Sequence, residues 1–331
     1  MLEFIGIIDF KNIYVQHIIV VEEIKMDNEY IILAGNKERA TAVTISNRLG
    51  ITLGDINIRN VQGSETSVDI QSYINYKKVF LLYNITHPVN ESIMQLLFLA
   101  DAIKKEGAEK IYLITSYLPY TKSKYRTEYK LNFSLFARLL EETSVDKIYT
   151  FGLYSPKISF YLKIPLYNIP ITNIYSKVIE DNFQGKKDLI VSTIDHELQE
   201  VSKDVANKIN VNTIFPAKKD LNNKVIFEIA ENINGKEILI IVDTINTGKN
   251  LSEYANYLTL KGAKDISVLS PHGIVDKKAI SVIEKSVIKQ IYVISHQFQK
   301  MEKIKIISTI KIIEEIIKRT IEKKNLKHIL K

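Results

Sequence analysis

The stretch that decides the fold is Lys78–Thr115, KVFLLYNITHPVNESIMQLLFLADAIKKEGAEKIYLIT. Lys78–Tyr83 is a short, continuous apolar run, which suits a strand buried on both faces. Ile93, Met94, Leu96, Leu97, Ala100 and Ile103 then recur at helical spacing, and Gly107 ends the pattern. Lys110–Thr115 reads as a second buried strand. Two buried strands joined by an amphipathic helix form a crossover unit, and such strands lie parallel.

Upstream, Tyr30–Ala34 reads as a strand and Asn36 as the N-cap of a helix carrying Ala42, Ile45 and Leu49 on one face, with Gly50 as its stop. Downstream, Leu131–Thr143 reads as a helix and Lys147–Phe151 as a strand. The order recurs in the second half. Strand Asp188–Ser192 precedes helix Leu198–Ile209 and strand Asn212–Phe215. Strands Val225–Ala230 and Glu237–Val242 flank Asn234-Gly235, a hairpin turn signal. Helix Leu251–Leu260, strand Asp265–Leu269, helix Lys277–Lys285 and strand Gln290–Ser295 follow, then a last helix with Ile310, Ile313, Ile317 and Ile321 on one face. The expectation is an α/β chain of two tandem domains, residues 29–165 and 166–331, each a mostly parallel sheet flanked by helices. Ligands in such domains bind at the carboxyl ends of the strands.

Composition narrows the function. The 331 residues are 46% hydrophobic and 25% charged, which excludes a disordered or fibrous chain. The absence of cysteine excludes disulfides, thiolate metal sites and a Cys nucleophile. No apolar run approaches the roughly 18 residues of a membrane span. The N-terminus lacks a basic segment and a cleavage site of the secretory kind, so a cytoplasmic protein is expected. The net charge of +7 lies mostly in Lys318–Lys331, where six Lys/Arg face one acid. Only six of the 45 basic residues are Arg, so a solvated helix end fits better than a nucleic-acid reader.

From Leu33 the motifs fall into a recognisable series. LAGNKERATAVTISNRLGITLGDINIRNVQGSETSVDI, the crossover stretch through Tyr117-Leu118-Pro119-Tyr120, GKEILIIVDTINTGKN and GAKDISVLSPHGIVDKKAISVIEKSVIKQIYVIS resemble, in order and spacing, the ribose-phosphate pyrophosphokinases, or phosphoribosyl pyrophosphate (PRPP) synthetases. The resemblance covers about residues 29–320. It implies two phosphoribosyltransferase-like domains, a homo-oligomer, and the reaction of Mg-ATP with ribose 5-phosphate to give PRPP and AMP in nucleotide biosynthesis. Residues 1–28 have no counterpart and are either an extension or a misassigned start.

The resemblance also assigns sites. The family loop after a V-D-D strand end, which cradles the 5-phosphate, matches Val242-Asp243-Thr244-Ile245-Asn246-Thr247-Gly248-Lys249-Asn250. One acid has become Val242 and another Asn246, while Asp243, Thr247 and Gly248 remain. Two readings stay open: Asp243, Asn246, Thr247, Gly248, Lys249 and Asn250 bind ribose phosphate, or Asn246 or Thr247 merely caps the helix at Leu251. The family's metal-contacting D-L-H is Gly152-Leu153-Tyr154. Asp195 is the candidate metal ligand that remains, and His196 beside it reads as a surface residue. The adenine pocket F-S-D-G-E is Val61-Gln62-Gly63-Ser64-Glu65, which leaves Glu65 and, beyond Tyr120, Lys122 as nucleotide contacts. The catalytic K-x-R becomes Pro216-Ala217-Lys218, so Lys218 or Lys219 must supply the cation. The segment Lys122–Lys130 fills the place of the family's mobile basic loop. His87 reads as a loop residue and His272, in the family's T-H-G turn, as structural.

Scaffold segments keep their pattern while four parts of one active site change. The expectation is a catalytically impaired homologue that assembles with itself or with an active paralogue. Its ligand is ribose 5-phosphate or another phosphate, with ATP in doubt, and its cofactor is Mg2+ if active and otherwise none. The alternatives are an active, divergent diphosphokinase and a phosphate- or nucleotide-sensing module without a kinase partner. Neither nucleic acid nor membrane is expected as a partner.

Overall fold

The structure, a computed structural model, describes residues 29–61, 65–121, 128–153, 156–221, 224–273, 277–294, 302–326 and 330. The extension expected at 1–28 and the basic residues Lys122–Thr127 lie outside them.

The first half runs β1 (Tyr30–Ala34), α1 (Arg39–Leu49), β2 (Ile56–Val61), β3 (Glu65–Ile70), β4 (Lys78–Leu82), α2 (Val89–Lys105), β5 (Lys110–Ile114), α3 (Glu128–Glu142), β6 (Lys147–Phe151) and β7 (Leu166–Ile169). Strands β1, β4, β5, β6 and β7 form one sheet in that order, with every pair parallel. The chain therefore passes between sheets after Ile169. The second half runs α4 (Ile171–Phe183), β8 (Leu189–Ser192), α5 (Gln199–Ile209), β9 (Asn212–Ile214), β10 (Ala217–Leu221), β11 (Lys224–Glu228), β12 (Glu237–Ile241), α6 (Lys249–Leu260), β13 (Asp265–Ser270), α7 (Lys277–Glu284), β14 (Gln290–Val293), β15 (Ile304–Ile306) and α8 (Ile310–Ile321). Its sheet has the order β15-β14-β13-β12-β8-β9, again all parallel.

The continuous apolar runs are explained by burial on both faces of each sheet. Ile31, Leu33, Val79, Leu81, Ile111 and Leu113 pack outward under α2 and α3. Their neighbours Tyr30, Ile32, Phe80, Leu82, Tyr112 and Ile114 point the other way, as strand periodicity requires. There they join Leu239 and Ile241 of β12, Leu269 of β13, Tyr292 of β14 and Ile313, Ile316 and Ile317 of α8 in a core that both sheets share. A third cluster fills the outer face of the second sheet, around Ile240, Val268, Tyr254 and Ile283. Across the seam, Arg48 of α1 pairs with Glu314 of α8 at 3.2 Å, and the Tyr149 and Thr320 hydroxyls lie 2.9 Å apart.

Two local expectations are corrected. Asn36 does not cap α1: its side-chain amide donates to the Ile58 carbonyl at 3.2 Å, and Glu38 occupies the N-cap position. Asn234-Gly235 does not join a hairpin. Strand β11 pairs antiparallel with β10, while β12 lies between β8 and β13. The turn docks instead on the end of α6, where the Gly235 N–H donates to the Gly262 carbonyl at 2.8 Å. A turn propensity fixes the turn but not the partners of its flanking strands. The β2–β3 hairpin and β7 had no counterpart in the sequence reading, because their residues are mostly half-buried or exposed and carry little apolar signal.

A core shared by both halves predicts one cooperative unfolding transition. Ile316 of α8 is fully buried, and Ile316→Ala is expected to cost about 2–5 kcal/mol. Denaturant unfolding followed by tyrosine fluorescence and by far-UV circular dichroism should give coincident curves that shift together. Two separate transitions would contradict the shared core.

Candidate phosphate-binding cleft

The carboxyl ends of the neighbouring parallel strands β8 and β12 open into a cleft of about 440 Å³. One wall is Ile194–Glu197, which follows β8. The other is Val242–Leu251, the turn from β12 into α6. Buried Val242, Ile245 and Leu251 pin the turn to the outer core. The backbone is tied from beneath: the Ile245 N–H donates to the Gly273 carbonyl at 2.9 Å, and the His272 N–H and Ser270 hydroxyl donate to the Asp243 carbonyl at 3.2 and 3.1 Å. Gly248 then takes φ of 74° at the N-cap of α6. That conformation costs a side-chain-bearing residue, and a Cβ there would stand 3.3 Å from Ile283 Cδ1.

With the anchors inside, Asn246, Thr247, Lys249 and Asn250 stand exposed along the cleft, beside the first N–H groups of α6. This is the chemistry of anion binding: helix N-terminal donors, hydroxyl and amide groups, and one added cation. The N-cap residue of α6 is Gly248, which has no side chain to cap the helix. The Thr247 hydroxyl accepts from the Lys249 N–H at 3.4 Å. Lys249 Nζ lies 4.0 Å from Glu253, with its side chain 76% exposed and free to turn.

Asp243 behaves differently. It lines the cleft but is only 4% exposed. The Thr244 hydroxyl donates to Oδ2 at 2.7 Å, and His272 Nε2 lies 3.3 Å from Oδ1. The His272 ring packs against Tyr117 of the first half, with centroids 4.8 Å apart. The sequence placed His272 in a structural turn. It gave no sign that this histidine would hold Asp243 or meet Tyr117, because the three residues are far apart in the chain.

The remaining candidates divide plainly. Asp195 lies on the facing wall of the cleft, its N–H donating to the Thr193 hydroxyl at 3.1 Å, and exposed His196 lies beside it. Glu65 is the exposed first residue of β3 and is no part of this cleft. Lys218 and Lys219 belong to β10, opposite Phe227 and Ile226 of β11, and their side chains lie outside the description. Lys122 and Tyr154 also lie outside the described residues. Strand β6 leads into Gly152 and Leu153, which offer no side-chain ligand. His87 is an exposed loop residue. Among the described residues no three His, Asp or Glu converge as a metal site, and no helix is long and apolar enough to cross a membrane.

Two all-parallel sheets flanked by helices, one in each half, make this a protein with two phosphoribosyltransferase-like domains. Comparison with known proteins narrows this class. Residues 30–143 match the N-terminal domain of ribose phosphate pyrophosphokinase, and residues 178–331 match the phosphoribosyl synthetase-associated domain. The chain belongs to the ribose-phosphate pyrophosphokinase family. It is 26% identical over 299 residues to the ribose-phosphate pyrophosphokinase of Clostridium acetobutylicum, covering 88% of this chain and 94% of that one. It is 27% identical over 307 residues to that of Bacillus caldolyticus, covering 89% and 95%. The crystal structure of phosphoribosylpyrophosphate synthetase from Mycobacterium smegmatis superposes with a TM-score of 0.79 at 20% identity, covering 89% of this chain and 99% of that one.

The strained turn makes a prediction. Gly248→Ala is expected to lower stability by about 1–2 kcal/mol, since alanine must hold a left-handed conformation. Thermal unfolding should fall by several degrees, whereas Gly185→Ala, whose Cβ meets nothing within 4 Å, tests the cost of positive φ alone.

Proposed function

We propose that this chain is a ribose-phosphate pyrophosphokinase homologue that binds a phosphate ligand, ribose 5-phosphate or a like ester, and has lost pyrophosphoryl transfer. It acts as a non-catalytic subunit, assembling with its own copies or with an active paralogue that makes PRPP. One observation carries this reading. The acid retained at the end of β12, Asp243, is buried and engaged by Thr244 and His272. In this reading it holds the turn at the floor of the cleft, and its low exposure leaves it a poor ligand for substrate or metal.

The other losses point the same way. Transfer of pyrophosphate needs cations over the developing charge and a metal bridging the triphosphate. Mg2+ prefers several oxygen ligands, with carboxylates prominent among them. The donor set here does not fit that demand: Asp243 is engaged, Asp195 faces it from the other wall, and the strand end at Gly152-Leu153 carries no carboxylate. Val61 stands where the family has an aromatic for adenine, and loss of such a stacking contact is worth about 1–3 kcal/mol. What survives is the phosphate half of the site, a turn and helix start with exposed Thr247, Lys249 and Asn250.

The test is turnover of the full chain with ribose 5-phosphate, Mg2+ and ATP, followed by phosphorus NMR beside an active family enzyme. The expected result is no PRPP and no AMP from a folded sample. PRPP formation approaching the control would overturn the proposal and favour a divergent active enzyme that uses Asp195, Lys218 or Lys219.

A further inference from the structure

Glu38 is an acid in the wrong place for a solvated helix start. It is 6% exposed, at the N-cap of α1, and its side chain makes no capping hydrogen bond. It lines a small, partly open cavity of about 20 Å³, enough for one water molecule. The cavity lies where the two halves meet. From the first half come Thr41 of α1 and the ends of β4, β5 and β6, namely Leu82, Asn84, Ile114, Ser116 and Phe151. From the second half come Ile294 after β14 and Thr309 and Ile313 at the start of α8.

The charged and titratable neighbours are few. Lys37 adjoins Glu38 in sequence, but its ammonium reaches out to the Thr86 hydroxyl at 2.5 Å. Arg39 is turned away to Asp55, also at 2.5 Å. On the β4 side, the Tyr83 phenol donates to the Ser92 carbonyl at 3.1 Å, and burial pushes its pKa up to about 12, so it stays neutral. The β5 and β6 ends bring Ile114, Ser116 and Phe151, and the second half brings Ile294, Thr309 and Ile313, none of them ionisable. On α8, Glu314 is paired with Arg48 outside the cavity. Among the described residues no cation enters the cavity, and Lys37 acts on the carboxylate only as the smallest of the lowering influences. The carboxylate is held by hydrogen bonds from the Asn84 side chain and the backbone N–H groups of Asn84 and Glu38. The Asn84 side-chain oxygen is itself fixed by the Ser116 N–H at 2.6 Å.

We propose that Glu38 is a proton-controlled joint between the halves: neutral, it closes the cavity and seats the start of α8 on the first sheet, and ionised, it draws water in and loosens that seat. The physical ground is the cost of a buried charge without a counter-ion. Burial outweighs the hydrogen bonds and pushes the Glu38 carboxyl up to about 7. The direction follows. The unfolded chain gives up this proton near the ordinary value of 4.5, while the native chain keeps it to about 7. Its contribution is complete below 4.5 and is lost as pH rises through 7.

The experiment compares the native chain with Glu38→Gln, which mimics the neutral acid. Between pH 5 and 8 the folding constant of the native chain should fall roughly 70-fold more than that of the variant. Hydrogen exchange, corrected for intrinsic rate, should accelerate above pH 7 at Thr41–Ile45 and Thr309–Ile317 in the native chain only. Parallel stability curves, or equal exchange in both proteins, would overturn the proposal. Carbon NMR of the Glu38 carboxyl in the unmutated protein decides independently of whether the variant folds. A midpoint near neutral pH is expected, and one in the ordinary carboxylate range would sink the idea.

Discussion

The structure rests on one constraint: two parallel sheets bury a common apolar layer. Parallel strands need both faces covered. Each sheet meets that need with helices on both faces: α2 and α3 cover the outer face of the first and α6 and α7 that of the second, while α1, α4, α5 and α8 fill the layer that the two sheets share. This explains why runs such as Lys78–Leu82 and Glu237–Ile241 are apolar at nearly every position. It also fixes the ends of the strands. Because β8 and β12 are parallel neighbours in one sheet, the turns that follow them stand side by side, and the cleft lies between those turns.

The turn after β12 presents exposed polar residues on a buried scaffold. Its anchors, Val242, Ile245 and Leu251, belong to the outer core, and Gly248 supplies the left-handed step into α6. These features depend on packing and backbone geometry, so they tolerate changes in the exposed positions between them. Asp243 is buried at the floor of the cleft. The Thr244 hydroxyl donates to one carboxylate oxygen, His272 Nε2 lies 3.3 Å from the other, and Tyr117 packs on the histidine from the other half. The same residue type at the same place in the chain has a task that the sequence does not reveal.

Much of the architecture was legible in the sequence. Helical stripes and buried runs located β1, α2, β5, β6 and α6 within a residue or a few, because burial on two faces leaves a strong apolar signal. The failures have physical causes. The β2–β3 hairpin is half-exposed, and its mixed composition hides it. Asn234-Gly235 forms a true turn, but its neighbours pair with strands remote in sequence, and local propensity carries no information about that choice. Within the site, the turn Asp243–Asn250 and the facing Asp195 were found through resemblance of spacing, and they do share one cleft. The burial of Asp243 and that of Glu38 were not readable, since both depend on side chains brought together from distant elements.

The central claim is that phosphate recognition at the β12–α6 turn has outlived metal-nucleotide chemistry. The most direct measurement is a calorimetric titration of the folded chain with ribose 5-phosphate and, separately, with ATP, each with and without Mg2+. The account predicts binding of ribose 5-phosphate that is indifferent to Mg2+ and weakened by Lys249→Ala, with no Mg2+-dependent binding of ATP. Tight ATP binding that requires Mg2+ would contradict it.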